Sequence, residues 1–253
     1  MPVKIQFGRP LIGDLERKAV NEALHKKTLT GAGTVQEFEE RFEEYIGGGK
    51  AVAVSSCTAA MYIALLANGI GPGDEVIVPA LTFVAGAHVV EAVGAIPVFA
   101  DAWPTTGVID PIEIERKITK KTRAVFPMHY VGRPCYMGTI LDIARRHNLI
   151  VLEDCATALG AFHSGRHVGL LGKAGCFSFH PVKAMTTCEG GMLVTTDPLI
   201  YEKARRIREF GKQSDPYGEI GAKYEVEGFG LNFRMTEMQA AIGIVQLKRL
   251  SNW

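Results

Sequence analysis

The sequence predicts an α/β fold in which a mostly parallel central sheet is flanked by helices. Short apolar runs rich in β-branched residues alternate with longer segments whose apolar residues recur at helical spacing. Strands covered on both faces are expected to be continuously apolar, as these runs are. The alternation extends through most of the 253 residues, which is enough chain for one large domain.

The predicted elements follow a regular order along the chain. Two amphipathic helices come first, and the glycine run at 47–49 ends the second of them. Strands and helices then alternate, and a glycine-rich loop over 211–230 precedes the last helix. The predicted helices are 13–24, 35–46, 58–67, 82–93, 111–118, 136–147, 198–210 and 236–250, and the predicted strands are 51–54, 75–78, 96–99, 123–126, 149–152, 175–179 and 192–195.

Composition excludes several classes of protein. Lys and Arg number 28 against 27 Asp and Glu, so the formal net charge is +1 and nothing favours a nucleic-acid or membrane-surface partner. No apolar stretch reaches the roughly 20 residues that a membrane span requires, and the N-terminus lacks a signal-peptide core. The five cysteines are scattered without a C-x-x-C pair, which argues against a disulfide framework. We therefore expect a cytoplasmic protein.

One stretch, 150–192, carries the residues most indicative of chemistry. An apolar run at 150–152 predicts a buried strand that places Asp154 at its end, and a second run at 175–179 leads through a His-Pro turn to Lys183. Pyridoxal phosphate (PLP) chemistry requires a lysine that forms a Schiff base with the aldehyde and an acid that keeps the ring nitrogen protonated. The pattern predicts these roles for Lys183 and Asp154.

Each assignment has an ordinary alternative. Asp154 could simply cap the next segment, and Lys183 could be a solvated surface charge, which is the usual situation of a lysine. If PLP binds, Lys183 is also a positioned base for the proton shift. Ala156 could then pack its methyl group on the ring, Thr157 could hydrogen-bond the ring hydroxyl, and Ser178 could reach the phosphate.

Two further clusters follow predicted strands, where ligands bind in open α/β sheets. The segment 55–59 opens a helix, so its backbone N–H groups, with the Ser and Thr hydroxyls beside them, could cradle a phosphate. An ordinary Ser/Thr helix cap explains the same segment. Phe83 follows the 75–78 strand and could stack on a planar cofactor, although a core phenylalanine is the commoner interpretation.

Zinc is the rival hypothesis for this region. Cys155, His163, His167, Cys176 and His180 include H-x3-H and C-x3-H spacings. The spacing is irregular and the two cysteines fall at predicted strand positions, so we do not predict a metal site.

Several motifs occur in an order that resembles one known family. They are Glu153-Asp154-Cys155-Ala156-Thr157-Ala158, Gly165-Arg166-His167-Val168-Gly169, Phe177-Ser178-Phe179-His180-Pro181-Val182-Lys183 and Glu189-Gly190-Gly191, with Gly8 to Gly13, Leu29-Thr30-Gly31 and Asn232 to Ala241 outside the central stretch. Together they resemble the DegT-type sugar aminotransferases, which are PLP enzymes of fold type I that act on nucleotide-linked keto-sugars. The resemblance implies an amino acid donor, with glutamate favoured.

The resemblance also implies roles by position. It makes Lys183 and Asp154 the catalytic pair. It assigns Thr30 and His180 to the substrate side, and it places Asn232 where it reaches the neighbouring subunit's cofactor, which implies a homodimer with shared sites. The cofactor-binding residues that it implies are Thr58, Ala59, Phe83, Asp154, Thr157, Ser178, Lys183 and Asn232.

The chain departs from the family pattern at three points. Thr157 stands where glutamine is usual, and Cys57 replaces a common glycine. Family members usually continue into a smaller C-terminal domain. We therefore expect residues 1–253 to be an N-terminal segment plus the PLP-binding large domain, with the small C-terminal domain absent or truncated. A non-catalytic or regulatory PLP- or sugar-nucleotide-binding dimer stays open as an alternative. A sugar dehydratase relative is disfavoured because such relatives lose the lysine.

Overall fold

A computed structural model describes residues 8–213 and 225–250 of the chain. The strands are β1 (Lys50–Val54), β2 (Glu75–Pro79), β3 (Ile96–Ala100), β4 (Thr122–Val125), β5 (Ile150–Asp154), β6 (Phe162–His163), β7 (Arg166–His167), β8 (Ala174–Ser178) and β9 (Gly191–Thr195). The helices are α1 (Asp14–Leu24), α2 (Gly33–Ile46), α3 (Cys57–Ala67), α4 (Ala85–Ala92), α5 (Pro111–Lys117), α6 (Met137–His147), α7 (Pro198–Arg208) and α8 (Glu237–Leu250).

The main sheet has the strand order β1-β9-β8-β5-β4-β2-β3. Strand β9 runs antiparallel to both of its neighbours, and every other adjacent pair is parallel. The predicted mostly parallel sheet is therefore confirmed, and with it the α/β class. Strands β6 and β7 form a separate two-stranded hairpin that the sequence analysis did not predict.

Both faces of the sheet are covered, which explains why its strands are continuously apolar. In β1, Val52 and Val54 join a core with α3, α4 and α7, whereas Ala51 and Ala53 join a core with α2 and α8. Helices α5 and α6 pack over the β2, β4 and β5 end of the second face. Burying each large apolar side chain in these cores contributes roughly 1.5–3 kcal/mol.

Helix ends follow local chemistry. Helix α2 ends at Gly47, whose φ of 81° is the left-handed conformation that glycine adopts without strain. Asp110 and Asp197 cap α5 and α7 by accepting from the N–H groups of Ile112 and Leu199, and each cap is followed by a proline at the first helical position.

Helix α4 is shorter than predicted. It begins at Ala85, so Thr82 and Phe83 stay in the loop that follows β2. Thr82 Oγ1 donates to Met128 Sδ at 3.1 Å, which holds this loop against the end of β4. The predicted helix start at Thr82 is therefore wrong, and Phe83 is presented from a strand end.

Helix α8 fixes the N-terminal part of the chain. The buried Glu237 carboxylate accepts from the N–H groups of Ala32, Thr34 and Val35, so it caps α2 from another element. The predicted loop over 211–230 lies partly outside the described residues. Within the described segments, no helix combines the length and apolarity that crossing a bilayer requires.

Candidate active site

A cavity of about 390 Å³ lies where the carboxyl ends of β5 and β8 meet the first turn of α3. Its volume falls within the roughly 300–1,000 Å³ that small-molecule sites occupy. Six residues predicted for the site line it together: Thr58, Phe83, Asp154, Ser178, His180 and Lys183. Residues far apart in the chain therefore converge because their strands end at the same edge of the sheet.

Asp154 is the last residue of β5, and its side chain is 5% exposed. Its Oδ1 accepts from the Ala156 N–H at 2.9 Å, whereas its Oδ2 has no hydrogen-bond partner among the described residues. Burial raises the pKa of this carboxyl, and the Ala156 N–H and the charge of Lys183 oppose that rise. A cationic N–H group in the cavity would supply the partner that Oδ2 lacks.

Lys183 lies in the turn after β8, and its own N–H donates to the carbonyl of His180 at 2.9 Å. The side chain is half-buried in the cavity wall. Its Nζ attracts Asp154 electrostatically without forming a direct ion pair, and it has no hydrogen bond within residues 8–213 and 225–250. The amine thus lies at the cavity without an ion pair or hydrogen bond to another described side chain.

The first turn of α3 lies beside the same cavity. Ser56 caps the helix by accepting from the Ala59 N–H at 3.1 Å, so the ordinary-cap interpretation applies to that amide. The N–H groups of Cys57 and Thr58 have no acceptor among the described residues and remain available to an anion. Half-buried Ser178 adds a hydroxyl at the end of β8.

Phe83 is 72% exposed, although it lines the cavity. It is therefore not a core residue, which was the alternative interpretation. Ala156 lines the same cavity with its methyl group. An exposed aromatic ring at a cavity wall has the geometry to stack on a planar ligand.

Four predicted site residues do not line this cavity: Thr30, Ala59, Thr157 and Asn232. The Thr157 hydroxyl donates to the carbonyl of His129 at 3.1 Å, and the exposed Thr30 hydroxyl donates to the carbonyl of Met235 at 3.4 Å. Exposed Asn232 accepts from its own turn, from the N–H of Arg234 at 3.3 Å. Their assigned roles stay predictions.

Asn232 and Ala59 lie near a second cavity of about 440 Å³. Leu231 and Phe233, on either side of Asn232, line it, as do Ala59 and Tyr62. This cavity shares Ser56 and Thr58 with the first one. The two cavities therefore flank the same helical turn.

Sequence reasoning missed several lining residues. Met128 follows β4, so the strand-end rule could have found it, whereas nothing in the sequence marked Met61. Val182 was recognised only as part of the motif that ends at Lys183. Gly190 and Glu189 were recognised only as part of a motif, but they lie in the cavity wall.

The residues of the zinc hypothesis do not come together in the described part of the chain, where the potential ligand group is instead His129, Glu153 and Cys155. Both nitrogens of His167 are engaged, with Val168 O and with the Gly160 N–H. The donors around Asp154 and Lys183, by contrast, fit PLP: a buried acid with an unpartnered oxygen, an unengaged amine, open helix N–H groups and an exposed ring.

Comparison with known proteins identifies the family of the chain. Residues 10–253 match the sequence profile of the DegT/DnrJ/EryC1/StrS aminotransferase family. The chain is 42% identical over 252 residues to the spore coat polysaccharide biosynthesis protein SpsC of Bacillus subtilis, covering 98% of this chain and 65% of SpsC. It is 42% identical over 248 residues to the GDP-perosamine synthase of Caulobacter vibrioides, with the same two coverages.

A solved structure extends the likeness to the fold. The structure of Spr1654 from Streptococcus pneumoniae in its PMP form superposes with a TM-score of 0.91 at 30% identity, covering 99% of this chain and 67% of that one. The same protein in its PLP form gives a TM-score of 0.90 at 29% identity. This chain spans 65% of the length of the two curated relatives. The resemblance seen in the sequence is thus confirmed, and the chain belongs to the DegT/DnrJ/EryC1/StrS aminotransferase family.

Proposed function

We propose that this chain binds PLP and forms the cofactor-binding part of an aminotransferase that acts on nucleotide-linked keto-sugars. The amino group would come from an amino acid donor, and glutamate is the donor that we favour. One observation carries the proposal: Lys183 and Asp154 line a single cavity without pairing with each other.

The residues would hold the cofactor from several sides. Lys183 Nζ would hold the aldehyde carbon, and Asp154 would accept the hydrogen bond of the ring nitrogen and keep it protonated. The N–H groups of Cys57 and Thr58, with the Ser178 hydroxyl, would bind the phosphate. When bound, PLP supplies a protonated heterocycle that stores the electron pair left when the α-proton departs.

Lys183 would also move the proton. Its amine has no competing hydrogen bond in the described segments, so it can accept the α-proton of the donor and return it to another carbon. Asp154 lies at the end of a buried strand and cannot follow that motion. Lys183 would thus act as a mobile base, and Asp154 as a fixed negative charge at the ring nitrogen.

Relatives support the proposed substrate class. The name of GDP-perosamine synthase assigns that protein to the synthesis of GDP-perosamine, and the name of SpsC assigns that protein to spore coat polysaccharide biosynthesis. At 42% identity over nearly the whole of this chain, the same class of substrate is the simplest assignment. A cytoplasmic location is part of the proposal, since all five cysteines are free thiols.

A homodimer with shared sites is also proposed. Exposed Leu231 lines the cavity that adjoins the α3 turn, and exposed Phe229 lies three residues before Asn232 in the chain. A second copy covering this surface would bury apolar area and bring its Asn232 towards the phosphate end of the site. Light scattering of the purified chain measures the assembly directly, and a monomer at micromolar concentration would contradict this part of the proposal.

The test of the cofactor site is Lys183→Ala, with Lys27→Ala as a control because Lys27 is exposed and does not line the cavity. The wild type and the Lys27 variant should turn yellow with PLP and acquire a borohydride-stable label at Lys183. The Lys183 variant should do neither. A label of unchanged yield in the Lys183 variant would refute the assignment.

Turnover tests the substrate class. Glutamate and a panel of keto-sugar nucleotides are incubated with the PLP-loaded chain, and 2-oxoglutarate is measured. Glutamate alone can yield at most one equivalent of 2-oxoglutarate per bound PLP. We therefore expect more than one equivalent only when a keto-sugar nucleotide is also supplied. Stable PLP binding without 2-oxoglutarate would instead identify a non-catalytic binding module.

A further inference from the structure

We propose that Glu153 is a positioning residue that fixes both halves of the cofactor site, the Asp154 half and the Lys183 half, from the far side of the sheet. This inference rests on the proposed binding of PLP. Glu153 neighbours Asp154 on β5, so its side chain points to the opposite face, and it lines no part of the cavity.

The Glu153 carboxylate is completely buried and accepts four hydrogen bonds. Oε2 accepts from His129 Nε2 at 2.9 Å and from the Gly169 N–H at 2.8 Å. Oε1 accepts from the N–H groups of Leu171 and Gly172 at 2.8 and 2.7 Å. Each oxygen is therefore doubly engaged, and the carboxylate ties three separate chain segments together.

Two series of contacts, called arms below, connect Glu153 to the cavity. The first arm leads through His129 to Asp154. His129 Nδ1 accepts from the Cys135 N–H at 3.0 Å, so the ring proton lies on Nε2 and points at Glu153. The His129 main-chain N–H donates to the Asp154 carbonyl at 3.0 Å, and the Asp154 N–H donates to Pro127 O at 2.9 Å. Holding the imidazole thus holds the backbone that pairs with Asp154.

The second arm leads through the loop before β8 to Lys183. The Lys173 N–H, next to the held segment, donates to Val151 O at 2.8 Å. Gly169 packs so tightly on β8 that a Cβ on Gly175 would lie 2.3 Å from its Cα. Strand β8 then carries Ser178 and leads into the Lys183 turn, so a shift of this loop changes where Lys183 enters the cavity.

The primary variant is Glu153→Gln. Whichever way the amide is oriented, its NH2 group faces two of the four donors, so two buried N–H groups lose their acceptor. We expect the PLP dissociation constant to rise about tenfold. The absorption maximum of bound PLP and its pH midpoint should also shift, because the environment of the ring nitrogen and the lysine changes.

The matched control is Glu237→Gln. Glu237 is equally buried and accepts from three backbone N–H groups, but it caps α2 and lines neither cavity. Both variants should lower the melting temperature of the cofactor-free chain. Only the Glu153 variant should change the PLP dissociation constant and spectrum; the Glu237 variant should stay within about twofold of the wild type.

Two His129 variants test the two hydrogen bonds of the first arm separately. They also replace Glu153→Gln as the test if that variant does not fold. His129→Gln keeps a donor at the Nε2 position for Glu153, whereas His129→Asn keeps an acceptor at the Nδ1 position for Cys135 and loses the Glu153 contact. The Asn variant should reproduce the spectral shift, and the Gln variant should shift less.

The outcomes separate the two proposals. A wild-type chain that forms no covalent PLP bond overturns the proposed function itself. A wild type that binds PLP normally, together with Glu153 and His129 variants whose dissociation constants and spectra match it after correction for folded fraction, overturns the positioning role. In that case Glu153 is a structural residue like Glu237.

Discussion

Gly191 lies directly against the first turn of α3: a Cβ added to it would lie 2.5 Å from the backbone nitrogen of Cys57 and 2.4 Å from the carbonyl carbon of Ser56. Gly191→Ala must therefore displace the turn whose N–H groups we assign to the phosphate. We expect a loss of about 2–3 kcal/mol in the free energy of unfolding and weaker PLP binding, measured by urea denaturation and absorbance titration.

Gly138→Ala is the control for this substitution. Gly138 lies in α6, and no atom approaches within 4 Å of its added Cβ. Alanine there should stabilise the chain by about 0.4–1 kcal/mol, because it restricts the unfolded chain and suits the helical backbone of this position. A Gly191 variant as stable as the wild type would show that the close approach is relieved at no cost.

The order and type of the main elements followed from the sequence because buried strands and amphipathic helices differ in apolar period. Strand direction did not follow, since the all-apolar run of β9 reads alike in either orientation. The hairpin of β6 and β7 was missed because its strands have two residues each. Ser164 and Gly165, both at positive φ, are the turn signal that could have revealed it.

The candidate site was predictable where it depends on strand ends and not where it depends on side-chain partners. Asp154 and Lys183 converge because β5 and β8 are parallel neighbours. Thr157 is only three residues from Asp154 in sequence, yet its hydroxyl donates to the carbonyl of His129. The apolar periodicity of a sequence carries no information about such a side-chain hydrogen bond, so only the three-dimensional structure reveals it.

Phe83→Ala should weaken PLP binding without destabilising the fold. The ring is 72% exposed, so its removal costs little packing, whereas an aromatic stacking contact is worth about 0.5–1.5 kcal/mol. We expect the PLP dissociation constant to rise about three- to tenfold at an unchanged melting temperature of the cofactor-free chain. Val84→Ala, at an exposed neighbour that does not line the cavity, should leave both quantities unchanged.

Asp154→Asn should stabilise the cofactor-free chain while impairing PLP binding. Burial raises the pKa of Asp154 above its ordinary 3.8, so the folded state holds the proton more tightly than the unfolded state. The stabilisation from Asp154 is thus complete below the ordinary value and is lost as the pH rises through the raised one. Melting temperatures of wild type and variant should coincide in acid and diverge towards neutrality, with the variant higher.

The ring-nitrogen role predicts the opposite ranking with cofactor present. Asparagine keeps the hydrogen bond from the Ala156 N–H but cannot hold a proton on the ring. The PLP dissociation constant should therefore rise by about tenfold or more. A variant that is less stable than wild type at neutral pH without cofactor would contradict the assigned cause of the pKa shift.

Alkylation should distinguish one thiol from the other four. Cys188 is exposed, whereas Cys57, Cys135, Cys155 and Cys176 are buried. Burial raises the pKa of each buried thiol, that of Cys135 to about 12, so their reactive thiolate forms are scarce. Mass spectrometry after iodoacetamide treatment should show a single adduct on the native chain and five after denaturation; additional native adducts would contradict the described burial.

Cys188→Gly should stabilise the chain by about 1 kcal/mol, because Cys188 has a φ of 71° and a non-glycine residue is strained there. The side chain is exposed, so its removal leaves no cavity to offset the gain. Its N–H donates to Thr186 Oγ1 at 2.9 Å, a bond that glycine retains.

Asn148→Gly is the control, since asparagine tolerates the left-handed region in which Asn148 lies, at a φ of 53°. This substitution should change the free energy of unfolding by less than about 0.5 kcal/mol. Thermal denaturation of both variants measures the difference, and equal shifts would mean that the turn at Cys188 relaxes without strain.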